Sequence, residues 1–151
     1  MIQLDPGTDL SVWVGREVAA SPWLRITQSQ IDAFADVTID QQWIHVDPQR
    51  AATESPFGVT IAHGFLTLSL LSHLYQSCIE VAPRRFGINV GMNRVRFTSP
   101  VKVDSRIRGR FTLQKLEPIT GGYQFVWNAV VEIDGEAKPA CVAEWVTRAL
   151  V

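Results

Sequence analysis

An α+β fold is predicted, in which a curved antiparallel sheet wraps around one long central helix. Three observations predict it. The stretch Ile61 to Tyr75 places leucines on nearly every helical face, which marks a buried helix. Beyond Phe86 apolar and polar residues alternate at a period of two, which marks half-buried strands. The length of 151 residues suits one compact domain, residues 1–151, and no repeat or linker divides it.

The elements follow in chain order. A strand is expected between Glu17 and Ile26, interrupted by Pro22. Thr27 with Gln30 three residues later has capping-box spacing, and Ile31, Phe34 and Ala35 then share one helical face. Asp47-Pro48 sets a capping carboxylate before a proline suited to the first helical position, so a second short helix starts there. Ser55-Pro56-Phe57-Gly58 ends it with turn chemistry. Between Asp40 and Asp47 runs a polar and aromatic connection, Gln41-Gln42-Trp43-Ile44-His45-Val46. The central helix is expected from Ile61 to near Glu80, roughly 25 Å at 1.5 Å per residue, with Pro83 stopping it. A strand from Ile88 to Thr98 stops at Pro100. Ile107, Phe111 and Leu113 alternate with Arg106, Arg108 and Arg110, and the segments Tyr123 to Ile133 and Cys141 to Trp145 continue the alternation. Pro118 to Gly122 and Asp134-Gly135 read as the turns between strands. The sheet must bury its apolar face and the helix all of its own, which together define the hot-dog arrangement.

Composition narrows the function. Apolar residues make up 46% of the chain and charged residues 19%, a globular balance. The 14 basic residues against 15 acidic ones leave a net charge of -1, so no nucleic-acid partner is expected. Cys78 and Cys141 cannot form a disulfide framework. The N-terminal MIQLDPGTDL has neither a basic region nor an apolar core, so no signal peptide is expected. No apolar run approaches the roughly 18 residues of a membrane span, so no membrane partner is expected. A soluble, cytoplasmic protein is the resulting expectation.

Few residues could carry chemistry. Asp40 and His45, five apart on the connection between two helices, could hold one water between a carboxylate and an imidazole. Spacing alone favours a blander reading, a turn aspartate and a satisfied histidine. Gly64, in Ala62-His63-Gly64 at the head of the central helix, either offers its N–H to an oxygen gaining negative charge or simply permits tight packing on the sheet. Ser69 and Ser72 are small hydroxyls on a buried helix, which usually bond back to a carbonyl four residues earlier. His45, His63 and His73 show no i,i+4 pairing, and no cysteine clusters with them, so no metal is expected. Arg94, Arg96, Arg106, Arg108 and Arg110 read as a solvated sheet face, with a phosphate-binding patch as the alternative.

Together, Ile39-Asp40-Gln41-Gln42-Trp43-Ile44-His45-Val46-Asp47-Pro48, the following Ala51-Ala52, and Ile61-Ala62-His63-Gly64-Phe65-Leu66 with Ser69 and Ser72 resemble the MaoC-like dehydratases. These include the (R)-specific enoyl-CoA hydratases, or hydratase 2. Gln-Trp-Ile-His and Gly91-Met92-Asn93-Arg94-Val95-Arg96-Phe97 look most like the nodulation-protein-N-like branch. The family pattern has Asn-Pro between its Asp and His, and Gln42-Trp43 replace that pair. The resemblance implies a hot-dog fold and hydration of trans-2-enoyl-CoA to (R)-3-hydroxyacyl-CoA without a cofactor. It implies Asp40 and His45 as the water-activating pair, Gly64 as donor to the thioester carbonyl, and Ser72 as a supporting hydroxyl. It also implies an acyl-CoA thioester as the bound partner and a homodimer with two sheets joined edge to edge. A hot-dog thioesterase and a non-catalytic acyl-CoA or acyl-carrier binding module are the rival readings.

Overall fold

The computed structural model describes residues 1–151. Its strands are β1 (Ile2–Leu4), β2 (Glu17–Ala20), β3 (Leu24–Arg25), β4 (Ile79–Val81), β5 (Phe86–Phe97), β6 (Arg106–Ile119), β7 (Gly122–Ile133) and β8 (Cys141–Leu150). Its helices are α1 (Gln28–Thr38), α2 (Trp43–Val46), α3 (Pro48–Glu54), α4 (Gly64–Ser69) and α5 (Leu71–Gln76). A six-stranded antiparallel sheet runs β2-β6-β7-β8-β5, with β3 also paired to β6. The fold is the hot dog expected from the pattern: α4 and α5 lie in the hollow of the curved sheet.

Alternation decides which face is inside. Ile107, Phe111 and Leu113 of β6 and Trp127, Ala129 and Val131 of β7 are fully buried under the helices. Tyr75 of α5 sits at the centre, edge-on to Phe111, Trp127 and Trp145 at 5.4, 5.2 and 5.6 Å. Gly109 lets α5 come close, since a Cβ there would stand 3.2 Å from the Leu74 Cβ. Arg106, Arg108 and Arg110 point outward and pair with Asp134, Glu132 and Glu17, so for these three the solvated-face reading holds. No helix is long and apolar enough to cross a membrane.

Both caps read from the sequence are formed. Thr27 and Gln30 close a reciprocal capping box on α1, and the Asp47 carboxylate accepts the Arg50 N–H ahead of Pro48. The central helix departs from expectation in three ways. It starts at Gly64, breaks at Leu70 and ends at Gln76. The Ser69 hydroxyl donates to the Phe65 carbonyl at 2.7 Å and competes with the helical bond at the site of the break. Residues 79–81 leave the helix to pair in parallel with β1, which the alternation did not reveal. Nor is the helix buried all round: Phe65 is 67% exposed, and Ser69, His73 and Gln76 share that open face. Pro118, expected in a turn, lies inside β6 opposite Tyr123, and the turn tightens to Thr120-Gly121.

Candidate active site

Asp40 follows the end of α1. The helix closes at Ile39, whose φ of 61° is left-handed, a conformation that β-branched residues rarely adopt. Such strain costs on the order of 1–3 kcal/mol and persists only where neighbours hold it. The Asp40 N–H donates to the Ala35 carbonyl at 3.1 Å, which turns the chain toward α2.

His45 lies on the single turn of α2 and is 7% exposed. Its Nδ1 is 2.6 Å from the Ile61 carbonyl. A carbonyl only accepts, so Nδ1 carries the hydrogen and Nε2 keeps a free lone pair, the form a general base needs. Ile61 is held in turn: its N–H donates to Ile44 at 3.1 Å, and Ala62 N–H donates to Val101 at 2.7 Å. Gln28 of α1 fixes the other side. Its amide donates to the His45 carbonyl at 2.7 Å and to Asp32 at 2.8 Å, while its oxygen accepts from Thr60. Burial pushes the His45 pKa down; the Ile61 carbonyl opposes this, His63 adds to it, and Asp40 opposes it.

A carboxylate oxygen of Asp40 and a ring nitrogen of each of His45 and His63 lie within 4.8 Å of one another. One water spans such a gap with two hydrogen bonds of about 2.8 Å. The fold thus brings His63, which sequence spacing left apart from the other histidines, up against the pair. The His45 and His63 rings stack at 3.8 Å with planes 24° apart. A metal must lie near the plane of each imidazole that binds it, and two nearly parallel rings do not share such a point. One nitrogen of each ring is bonded to a carbonyl, which fixes the orientation of that ring.

His45, Gly64, Thr67, Phe97, Val101 and Ala140 line a cavity of about 330 Å³. The first bond of α4 runs from Thr67 N–H to His63 O, so the Gly64 N–H has no helical partner. A Cβ on Gly64 would stand 3.1 Å from the Phe97 ring, so the glycine also permits close packing on β5. The packing use suggested by the sequence is therefore present, and the Gly64 N–H is left without a helical partner. Ser72 lies elsewhere: eight residues along the helix, roughly 12 Å by helical rise, it lines a second cavity of about 240 Å³ with Tyr75, Asn89 and Trp145. Trp43 packs under the Arg50 guanidinium at 4.4 Å. Sequence reading missed Gln28, Thr60 and the Ile61 carbonyl, because an ordinary glutamine and a backbone oxygen carry no motif. It passed over His63, whose adjacency to Gly64 was the available signal.

The sequence pattern of the MaoC like domain family matches residues 10–129. The chain is 48% identical over 141 residues to the 3-hydroxyacyl-thioester dehydratase Z of Mycobacterium tuberculosis, covering 93% of each chain. It is also 48% identical over 142 residues to nodulation protein N of Rhizobium leguminosarum bv. viciae, covering 92% of this chain and 88% of that one. Among solved structures, the (R)-hydratase from A. caviae involved in PHA biosynthesis superposes with a TM-score of 0.72 at 27% identity, over 91% of this chain and 97% of that one.

Proposed function

Because the chain belongs to the MaoC-like domain family and is an enzyme of its dehydratase and hydratase class, we propose that it reversibly adds water to a trans-2-enoyl-CoA, giving the (R)-3-hydroxyacyl-CoA. The reading takes residues 1–151 as one catalytic domain. The observation that carries it is the gap between the Asp40 carboxylate and the His45 ring, within 4.8 Å and suited to one water. In the hydration direction Asp40 accepts a hydrogen bond from the water and orients its oxygen. His45 Nε2 takes one water proton as the C–O bond forms at the β-carbon. The electron pair of the double bond moves toward the thioester carbonyl, whose oxygen meets the Gly64 N–H. The proton on His45 then passes to the α-carbon on the same face. Water is added whole, and nothing is oxidised or reduced. Ser72 supports this site only if a second copy or a longer acyl chain joins the two cavities.

Crotonyl-CoA tests the reading. Loss of the enoyl absorbance with formation of (R)-3-hydroxybutyryl-CoA is expected; release of free thiol without hydration makes the protein a thioesterase instead. The same assay across pH tests His45. Its pKa is lowered, so the neutral base persists below the ordinary histidine value of about 6.5, and the acidic limb of kcat/KM is expected below that value. The unfolded chain takes up this proton first, so the stability contribution is complete above about pH 6.5 and is lost as pH falls through the lower folded value. An acidic limb at or above pH 6.5 contradicts the assignment.

The open edge of β5 supports a homodimer. This edge strand has twelve residues, and Phe86, Ile88, Val90 and Phe97 on it are exposed, as is Phe65 on the neighbouring helix. Long apolar edges are otherwise sites of aggregation. Pairing β5 with β5 of a second copy joins the sheets edge to edge. Light scattering is expected to give twice the 16.8 kDa chain mass at micromolar concentration; the monomer mass contradicts it.

A further inference from the structure

His63 stands outside the Asp40–His45 pair yet touches both members. It is the N-cap of α4 and only 2% exposed. Its ring is wedged between Phe34 of α1, at 5.0 Å, and His45 of α2, at 3.8 Å. Its Nε2 lies 3.0 Å from the Asp40 carbonyl, which only accepts, so Nε2 carries the hydrogen. Its Nδ1 is then a bare lone pair, buried and without a partner. We propose that His63 is a positioning residue: its ring backs the His45 base while its Nε2–H anchors the Asp40 backbone, so one side chain sets the separation of the two groups that hold the water.

Three observations support this. First, Asp40 follows Ile39, whose left-handed φ of 61° gives the turn no preference of its own. Its carbonyl needs an external anchor, and His63 supplies one from another element. Second, a ring that only filled space between Phe34 and His45 would be better apolar. The unpartnered Nδ1 is a polar atom buried at a cost. The other nitrogen of the same ring bonds the Asp40 carbonyl, while the Asp40 N–H is held by Ala35. Third, the His45 ring is held at its edge by the Ile61 carbonyl and on its face by His63, which leaves Nε2 one direction to point. Positioning matters at this scale, because a displacement of about 1 Å can cost about 10²-fold in rate.

The inference rests on the reading of Asp40 and His45 as the water-holding pair, and two substitutions separate its parts. His63→Phe keeps a ring in the wedge and loses the N–H. His63→Gln loses the ring and keeps an amide donor within reach of the carbonyl. With crotonyl-CoA, His63→Phe is expected to lower kcat per folded enzyme by about 30-fold or more, with KM within about three-fold of wild type. His63→Gln is expected to regain kcat to within about five-fold. His63→Phe turning over like wild type overturns the proposal, as does a rate that falls only with the folded fraction in both variants. Nitrogen NMR of the wild-type histidine rings at about pH 8 gives a readout independent of activity. The hydrogen of His63 is expected on Nε2; a hydrogen on Nδ1 overturns the anchor even if the enzyme hydrates crotonyl-CoA. A wild type that does not hydrate it refutes the hydratase reading and leaves that NMR result to decide the anchor.

Discussion

Replacing Asp40 by Asn, or His45 by Gln, is expected to lower hydration of crotonyl-CoA per folded enzyme by about 10²–10⁴-fold, the usual contribution of a positioned acid–base group. Asp40→Asn keeps the size of the side chain and loses its negative charge, so the water loses its anionic acceptor. His45→Gln keeps a donor for the Ile61 carbonyl and loses the titratable Nε2. Stability should barely register the first change, because Asp40 is exposed. The second loses the ring contact with His63 besides at most one hydrogen bond worth about 1 kcal/mol, so some stability is lost with it. Melting temperature measured beside turnover separates chemistry from folding. A merely structural pair would lose rate only as folded protein is lost.

Trp127→Ala is expected to do the reverse. Trp127 is fully buried on the concave face of β7, stacked on Phe125 at 5.6 Å and met edge-on by Tyr75 at 5.2 Å. Its indole N–H donates to the Thr147 hydroxyl at 3.0 Å. Truncation leaves a cavity beneath α5 and removes that hydrogen bond, and large aromatic truncations of this kind cost about 3–5 kcal/mol. At about 2–4 °C per kcal/mol for a domain of this size, the melting temperature should fall by roughly 6–20 °C. The folded fraction should turn over near the wild-type rate, because Trp127 does not line the cavity that holds His45 and Gly64. A fall of less than about 3 °C contradicts the packing argument.

The parts of the fold legible in the sequence are those governed by local rules. Thr27 with Gln30 and Asp47 with Pro48 start helices because capping is a contact between near neighbours. The strands β6 to β8 show because each has one wet face and one dry face. The break at Leu70 was hidden, because whether a serine hydroxyl takes a helical carbonyl is not set by spacing. The β1–β4 pair was hidden because three-residue strands far apart in sequence carry no period. The open face of the central helix was hidden because Phe65, Ser69, His73 and Gln76, which line it, are interleaved with buried leucines. In the site, the Asp40–His45 spacing was visible, whereas the groups that aim them lie 16 and 23 residues away, at the Ile61 carbonyl and at His63.

The central claim is that Asp40 and His45 hold one water between them, and the double variant Asp40→Asn/His45→Gln tests it most directly. Groups that act as a unit are non-additive: once either is gone, the other has little left to contribute. Turnover of crotonyl-CoA per folded enzyme is measured for both single variants and the double. The expected result is a double variant no more than about ten-fold slower than the slower single. Losses that multiply, so that the double falls by the product of the two singles, would contradict a shared water and assign the two residues independent roles.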